Sequence, residues 1–231
     1  AYWSDSLIVL THFKGHGLTG FGGTIKNVGM GLTDKIGKCK MHTDTGPIVE
    51  EERCQGCGLC LKWCASEAIN LYNEVVKIDQ AKCVGCGQCL VSCSNKAIRI
   101  DWNAVSSRVV QERICEAALA VLKERKALFL NFLMDVTPDC DCCPHSDAPI
   151  VPDIGILASR DPVAIDQAGV DLVNSTAGLK DTALKINLES GEDKFRGLHP
   201  QVSWEIQLEY AEAIGLGSRE YELIALRENV V

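Results

Sequence analysis

The chain of 231 residues lacks features that would place it in several common functional classes. No apolar run approaches the roughly 20 residues that cross a bilayer, which argues against a membrane span. Lys and Arg number 23 against 31 Asp and Glu, and the net charge of -8 disfavours a nucleic-acid-binding protein. The first residues lack both Met and the order of a signal peptide. We expect a cytoplasmic protein, trimmed or cut from a longer product.

Cysteine, by contrast, is abundant, with 13 in the chain and eight of them between Cys54 and Cys93. They form two runs with C-x2-C-x2-C-x3-C spacing, RCQGCGLCLKWCASEAINL from Arg53 and KCVGCGQCLVSCSNKAIRI from Lys82. Each cysteine of the first run recurs 29 residues later in the second. A repeat of this kind predicts two copies of one structural unit.

This spacing is typical of ligands to 4Fe-4S clusters. Three thiolates wrap one corner of the cubane, while the fourth cysteine of each run ligates the other cluster. The predicted ligand sets are Cys54, Cys57, Cys60 and Cys93 for the first cluster and Cys64, Cys83, Cys86 and Cys89 for the second. Zinc ribbons use well-separated cysteine pairs, and disulfide frameworks belong to secreted chains, so both alternatives are disfavoured. Whether the clusters carry electrons or only stabilise a small module stays open.

The cysteine runs resemble a bacterial-type two-cluster ferredoxin, with Ala65 and Ser94 in place of the Pro that usually follows the fourth cysteine. Around them, strands alternate with helices, which predicts an α/β fold with a mixed or mostly parallel sheet and flanking helices. We expect residues 1–46 and 105–231 to form this discontinuous domain, and residues 47–104 to form an inserted α+β ferredoxin-like module. The predicted strands are 7–10 (buried), 127–136 (central) and 153–159, and the predicted helices are 105–126, 163–174 and 199–215.

The segments HFKGH (12–16), TPDCDCCPH (137–145) and SRDPVAID (159–166) each follow a predicted strand. In a parallel sheet such segments meet at the carboxyl edge, where ligands bind, so we predict a second site there. Thiol and imidazole groups in the second segment suit a soft metal ion, a third cluster or a redox-active thiol pair, although ordinary reduced thiols are the alternative. These candidate ligands are Cys140, Cys142, Cys143 and His145.

Residues 15–37 are rich in glycine and are predicted to be a loop. GHGLTG from Gly15 matches G-x-G-x-x-G, but no helix is predicted to follow, which disfavours a dinucleotide site. An anionic group held by Lys14, Lys26 and Lys38 is the alternative. Asp161 is predicted to cap a helix and Asp166 to lie on its surface. A further prediction places Cys115 in the core.

The order LTHFKGHGLTGFGGTIKNVGMG, ferredoxin pair, CDC and PDIGILASRDPVAID resembles the domain-of-unknown-function family numbered 362, in its variant with an internal ferredoxin module. The resemblance implies an anaerobic prokaryotic source, iron-sulfur clusters and no agreed reaction. Family members are often longer at the N-terminus, so we expect this chain to be the C-terminal part of such a protein. The matching positions outside the clusters are Lys14, Gly15, His16, Lys26, Asn27, Gly29, Gly31, Lys38, His42, Cys140, Asp141, Cys142, Asp161 and Asp166.

Three functional hypotheses follow from these patterns. In the first, the clusters feed electrons to a site with the candidate catalytic residues Lys14, His16, Lys26 and His42, as in an oxidoreductase of unknown small-molecule substrate. In the second, the protein is an electron carrier or complex subunit, and its negative charge suits a redox protein partner with a basic patch. In the third, the clusters are structural in a non-redox enzyme.

Overall fold

The computed structural model describes residues 4–42, 46–101, 105–143 and 147–226. The chain forms two compact units. Ala1–Leu32 and Gln111–Val231 form the first, here called the larger unit, and Thr33–Val110 form the second, the cysteine-rich unit. These bounds differ from the predicted insert at 47–104. No helix in the described parts of the chain is long and apolar enough to cross a bilayer.

The elements alternate between strands and short helices. In chain order they are β1 (Ser6–His12), β2 (Lys14–His16), β3 (Gly20–Gly22), α1 (Thr24–Gly31), α2 (Lys35–His42), β4 (Ile48–Val49), a 3-10 turn (Glu51–Arg53), α3 (Leu59–Lys62), β5 (Ile69–Tyr72), β6 (Val75–Ile78), α4 (Gln88–Ser92), β7 (Ile98–Arg99), α5 (Ser107–Leu122), β8 (Lys126–Leu133), β9 (Gly155–Ser159), α6 (Pro162–Ser175), α7 (Lys194–Leu198) and α8 (Glu205–Ala213).

The larger unit contains a mixed sheet in the order β1-β8-β9. β1 runs parallel to β8, and β9 pairs with β8 in the antiparallel direction. Helix α6 packs on β8, β9 and α1. The predicted mixed sheet with flanking helices is therefore confirmed, and the predicted strand 127–136 is its central strand.

Strand β1 is buried on one face only. Val9 is buried, as is its β8 partner Phe129. In contrast, Ile8 is 72% exposed and Leu10 is 61% exposed. The prediction of a fully buried strand is wrong, because an uninterrupted apolar run does not reveal that alternate side chains point to opposite faces.

The glycine-rich segment is not a loop. β2 and β3 form an antiparallel hairpin, and α1 follows it directly. A Cβ on Gly29 would lie 2.2 Å from the backbone oxygen of Ile114, so this glycine lets α1 approach α5 closely. The loop prediction is wrong because it took glycine as a sign of an irregular chain, whereas here glycine serves close packing.

The helix predictions are correct in two cases and too long in a third. α6 lies within one residue of its predicted bounds at both ends, whereas α5 begins two residues later and ends four residues earlier than predicted. Asp161 caps α6 as predicted, because its carboxylate accepts hydrogen bonds from the N–H groups of Val163 and Ala164. The predicted helix 199–215 is only α8, because His199 lies just beyond the separate helix α7.

The 29-residue repeat of the cysteine-rich unit is reproduced in its strand pairing. Ile69 pairs with Ile78 in the β5–β6 hairpin, and the equivalent Ile98 pairs with Val49 between β7 and β4. The backbone hydrogen bond from Asp79 to Ala68 and that from Glu50 to Ala97 both measure 2.7 Å. The strand before the first cysteine run therefore pairs with the strand after the second run. The strand after the first run pairs with the strand before the second run in the same way.

Candidate thiol site and cysteine-lined cavities

The segments after β1 and β8 lie side by side, because these strands are parallel. The backbone N–H of Gly15 donates to Thr137 O at 2.8 Å, and a Cβ on Gly15 would lie 2.0 Å from Pro138 O. The third predicted segment does not begin at this edge. β9 is antiparallel and its last residue, Ser159, pairs with Phe129, so that part of the prediction is wrong.

A cluster of side chains, here called the thiol site, forms where the first two segments meet. One ligand atom from each of His16, Cys140 and Cys142 lies within 4.8 Å of the others. The Nζ of Lys26 donates to the Sγ of Cys140 at 3.0 Å. The backbone N–H of Cys142 donates to the same sulfur at 3.4 Å. His16 and Cys140 are buried, whereas Cys142 is exposed.

The surroundings of Cys140 favour its thiolate. Burial alone would raise the pKa of this thiol, but hydrogen bonds from His16, Cys142 and Lys26 outweigh burial and lower the pKa to about 5. Burial and the neighbouring Cys140 raise the pKa of Cys142 to about 11. Burial also lowers the pKa of His16. The site therefore holds one thiolate beside one thiol at neutral pH.

His16 is oriented by its own hairpin. The backbone N–H of Leu18 donates to Nδ1 of His16 at 3.2 Å, so the neutral ring carries its proton on Nε2. An imidazole that ligates a metal usually donates its second N–H to an oxygen acceptor, whereas here that second nitrogen accepts. Two sulfurs and one imidazole nitrogen are ligands that a soft metal ion prefers. The hydrogen bonds of His16 instead suit a ring that donates its N–H to a thiolate.

Asp141 fixes the loop that carries the two thiols. Its carboxylate pairs with Lys14 Nζ at 2.9 Å and with His12 Nδ1 at 3.0 Å. Partial burial opposes its ionisation, but hydrogen bonds from Lys14 and His12 lower the pKa of Asp141. The ammonium of Lys14 also donates to His12 O at 2.7 Å. Lys14 thus holds the loop in place, alongside its predicted catalytic role.

Among the described residues, no other predicted ligand or catalytic residue belongs to this group of three donors. Cys143 touches it through its backbone, whose N–H donates to Cys140 O at 2.9 Å. His145 is outside the described residues. His42 is a buried residue of α2 in the cysteine-rich unit, and Lys38 is in the same helix.

Sequence analysis missed the role of Asp166, which is fully buried and not on the helix surface. Its carboxylate accepts hydrogen bonds from Thr24 N at 2.7 Å, Ile25 N at 2.8 Å and Asn131 Nδ2 at 2.8 Å. Burial raises the pKa of Asp166 to about 6. A Cβ on Gly23 would lie 2.3 Å from this carboxylate. The first two backbone N–H groups of α1 therefore donate hydrogen bonds to a buried carboxylate of the same unit.

Two small cavities lie in the cysteine-rich unit. Each is lined by four cysteines, three from one run and the last from the other. The first cavity is lined by Cys54, Cys57, Cys60 and Cys93. The second is lined by Cys64, Cys83, Cys86 and Cys89. All 13 cysteines lie in the described residues, and none is joined in a disulfide.

The two cavities are built alike. Gly58 and Gly87, which precede α3 and α4, have φ angles of 72° and 69°, a conformation that favours glycine. The fourth cysteine of each run accepts a hydrogen bond from the backbone four residues later, at 3.3 Å in both copies. The donors are the N–H groups of Ala68 and Ala97.

The fold and these sites define a mixed α/β protein with one thiol site and two cysteine-lined cavities. The model of the family described as Domain of unknown function (DUF362) matches residues 1–171. The chain belongs to that family. No curated protein matches it.

Proposed function

We propose that the protein binds two 4Fe-4S clusters in a ferredoxin-like module and uses them for one-electron transfer. The observation that carries this proposal is the lining of the two cavities. Each brings together the first three cysteines of one run and the fourth of the other, which is the arrangement that two-cluster ferredoxins require. Cys93 therefore completes the first cluster, and Cys64 completes the second.

The protein backbone also suits a cluster. The N–H groups of Ala68 and Ala97 donate to Cys64 Sγ and Cys93 Sγ, and that of Val76 faces Cys54 Sγ at 3.5 Å. Hydrogen bonds to the sulfurs tune the reduction potential of such clusters. When bound, the clusters supply reversible one-electron chemistry, while the chain provides the thiolates and a partly apolar lining.

We further propose that the electrons serve the thiol site of the larger unit, which makes the protein an oxidoreductase. If the protein only carried electrons to a redox protein partner, it would not need such a site. The contact between Lys26 and Cys140 favours the enzyme, because a cation beside a thiolate is typical of reactive cysteines. The substrate is then expected to be a small molecule that can react with the nucleophilic thiolate of Cys140.

The direct test is the iron and acid-labile sulfide content of protein purified without oxygen. We expect about eight of each per chain and paramagnetic resonance signals from two clusters after reduction. Cys57→Ser should reduce the iron content, because one iron loses its thiolate ligand. Cys142→Ser is the matched control and should leave the content unchanged. A wild-type protein without sulfide, or with one zinc ion for each set of four cysteines, would contradict the proposal.

A further inference from the structure

Two thiols of the larger unit lie close enough to react with each other. Cys140 and Cys142 are two residues apart, and their sulfurs lie within 4.8 Å of each other. Cys143, although adjacent in sequence, does not belong to the same group. The two sulfurs differ in their surroundings, because Cys140 is buried against Lys26 and His16 whereas Cys142 is exposed.

We infer that Cys140 and Cys142 form a redox-active dithiol pair that stores two electrons for the site. This inference rests on the proposed function, which supplies the electrons. On oxidation by an outside disulfide of low molecular weight, one S–S bond forms between the two sulfurs and the outside S–S bond breaks. The two outside sulfurs take the two electrons, and one of them takes the proton of the Cys142 thiol. On reduction, the S–S bond takes up two electrons and breaks, Cys142 takes one proton and Cys140 becomes a thiolate; the two clusters of the proposed function would supply one electron each.

The geometry also gives the direction of exchange with outside thiols. A thiolate attacks the accessible sulfur of a disulfide and displaces the other sulfur, and the leaving thiolate departs faster when its pKa is low. Here the accessible sulfur is that of Cys142. The leaving sulfur is that of Cys140, which Lys26 and His16 stabilise as an anion. A thiol or disulfide of low molecular weight is therefore the class of outside reactant that the pair can accept.

Two features favour this pair over a metal centre at the same atoms. The Nδ1 of His16 accepts a hydrogen bond from Leu18 N–H, which places the proton of the neutral ring on Nε2, and the His16 side chain hydrogen-bonds to Cys140. The ammonium of Lys26 lies 3.0 Å from the Cys140 sulfur, and a positive charge at this distance opposes a divalent cation. Both groups stabilise an anionic sulfur.

The test uses the full-length protein purified without oxygen and equilibrated with defined ratios of reduced and oxidised glutathione. After alkylation and tryptic digestion, residues 127–160 form one peptide that contains Cys140, Cys142 and Cys143. We expect the peptide to carry three labels under reducing ratios and one label, on Cys143, under oxidising ratios. Stabilisation of the Cys140 thiolate favours the reduced form, as in strongly oxidising dithiol proteins, so glutathione should suffice to span the transition.

Variants separate the pair from its neighbours. Cys143→Ser should carry two labels when reduced and none when oxidised, because the pair is intact. Cys142→Ser should lose this transition. In a reductive titration, the glutathione-oxidised wild-type protein should consume two more electrons per chain than Cys142→Ser does.

Three results would overturn the inference. The first is three labels at every glutathione ratio, and the second is a disulfide that involves Cys143. The third is a stoichiometric metal ion that is lost in Cys140→Ser and Cys142→Ser alike. Iron and sulfide measured on the same samples report on the clusters separately. A pair that oxidises normally in a protein without clusters would refute the proposed function, and a protein with clusters but no pair would refute only this inference.

Discussion

The ammonium nitrogen of Lys26 donates to the sulfur of Cys140 at 3.0 Å, although 114 positions separate the two residues in sequence. Lys26 lies in α1, directly after the β2–β3 hairpin, and Cys140 follows β8. The contact depends on the parallel pairing of β1 with β8, which brings the segments after both strands to one edge of the sheet. A nearby cation and hydrogen bonds to the charged form both lower a thiol pKa.

We predict that Lys26→Met raises the pKa of Cys140 from its wild-type value of about 5 toward that of an ordinary thiol. The thiolate is the reactive form, so the wild-type alkylation rate should rise with pH up to about 5 and then level off. In the variant the rise should occur at higher pH. At pH 6 the rate should fall severalfold, because a smaller fraction of the thiol is ionised once its pKa is raised above that pH. The alkylation rate of Cys140 is measured by iodoacetamide labelling followed by peptide mass spectrometry.

The control for this prediction is Lys180→Met, which removes an exposed lysine from another part of the larger unit. Its pH profile should match that of the wild-type protein. An unchanged profile in Lys26→Met would show that His16 and the backbone N–H of Cys142 are sufficient to hold the thiolate.

The meeting of His16 and Cys140 at one edge of the sheet was predictable from the order of the strands in the sequence. The apolar runs of β1 and β8 are evident, and two parallel strands bring His16 and Cys140 to the same edge. The direction of β9 was not predictable, because an apolar strand looks the same in parallel and antiparallel pairing. The placement of Ser159, where the third segment begins, at that edge was therefore wrong.

The glycine-rich segment shows why the rest was missed. Gly15, Gly23 and Gly29 allow close approach to Pro138, Asp166 and Ile114 respectively, and these partners are more than 80 positions away in sequence. A local pattern contains no information about such partners. The cysteine repeat is the opposite case, because its predicted ligand sets were grouped by local spacing; the same sets line the two cavities, while the clusters stay a prediction.

We predict that Asp166→Asn destabilises the larger unit. Both carboxylate oxygens accept hydrogen bonds from N–H donors, whereas an amide offers only one acceptor oxygen and sets its NH₂ group against a donor. A buried donor left unpaired costs about 1–3 kcal/mol, so the melting temperature should fall by several degrees. Asp171→Asn, in the same helix but exposed, is the control and should change it little. Equal melting of both variants and the wild-type protein would mean that the Asp166 contacts contribute no net stability.

We predict unequal effects of alanine at two glycines of the first cysteine run. Gly56 and Gly58 both have positive φ angles, 62° and 72°, which cost a residue with a Cβ about 1–2 kcal/mol. A Cβ on Gly56 would also lie 2.5 Å from Glu74 O, whereas nothing lies within 4 Å of one on Gly58. Gly56→Ala should therefore lose more iron per chain and melt at a lower temperature than Gly58→Ala. The reverse order would contradict the packing around Gly56.

We predict that Lys194→Met destabilises the larger unit without changing the thiol site. Lys194 is fully buried, and its ammonium donates to the backbone oxygens of Asn174 at 3.2 Å, Glu189 at 2.5 Å and Glu192 at 2.9 Å. Met fills a similar volume but donates nothing, so three carbonyl oxygens lose a donor. The variant also avoids the free-energy cost of burying a charged ammonium, which offsets part of the loss. We expect the free energy of unfolding to fall by about 1–3 kcal/mol. Thermal melting should show the decrease, with the exposed Lys185→Met as control, while Cys140 alkylation in the folded protein should keep its wild-type pH profile. A Lys194→Met protein as stable as the wild type would show that these three hydrogen bonds only compensate for burying the charge.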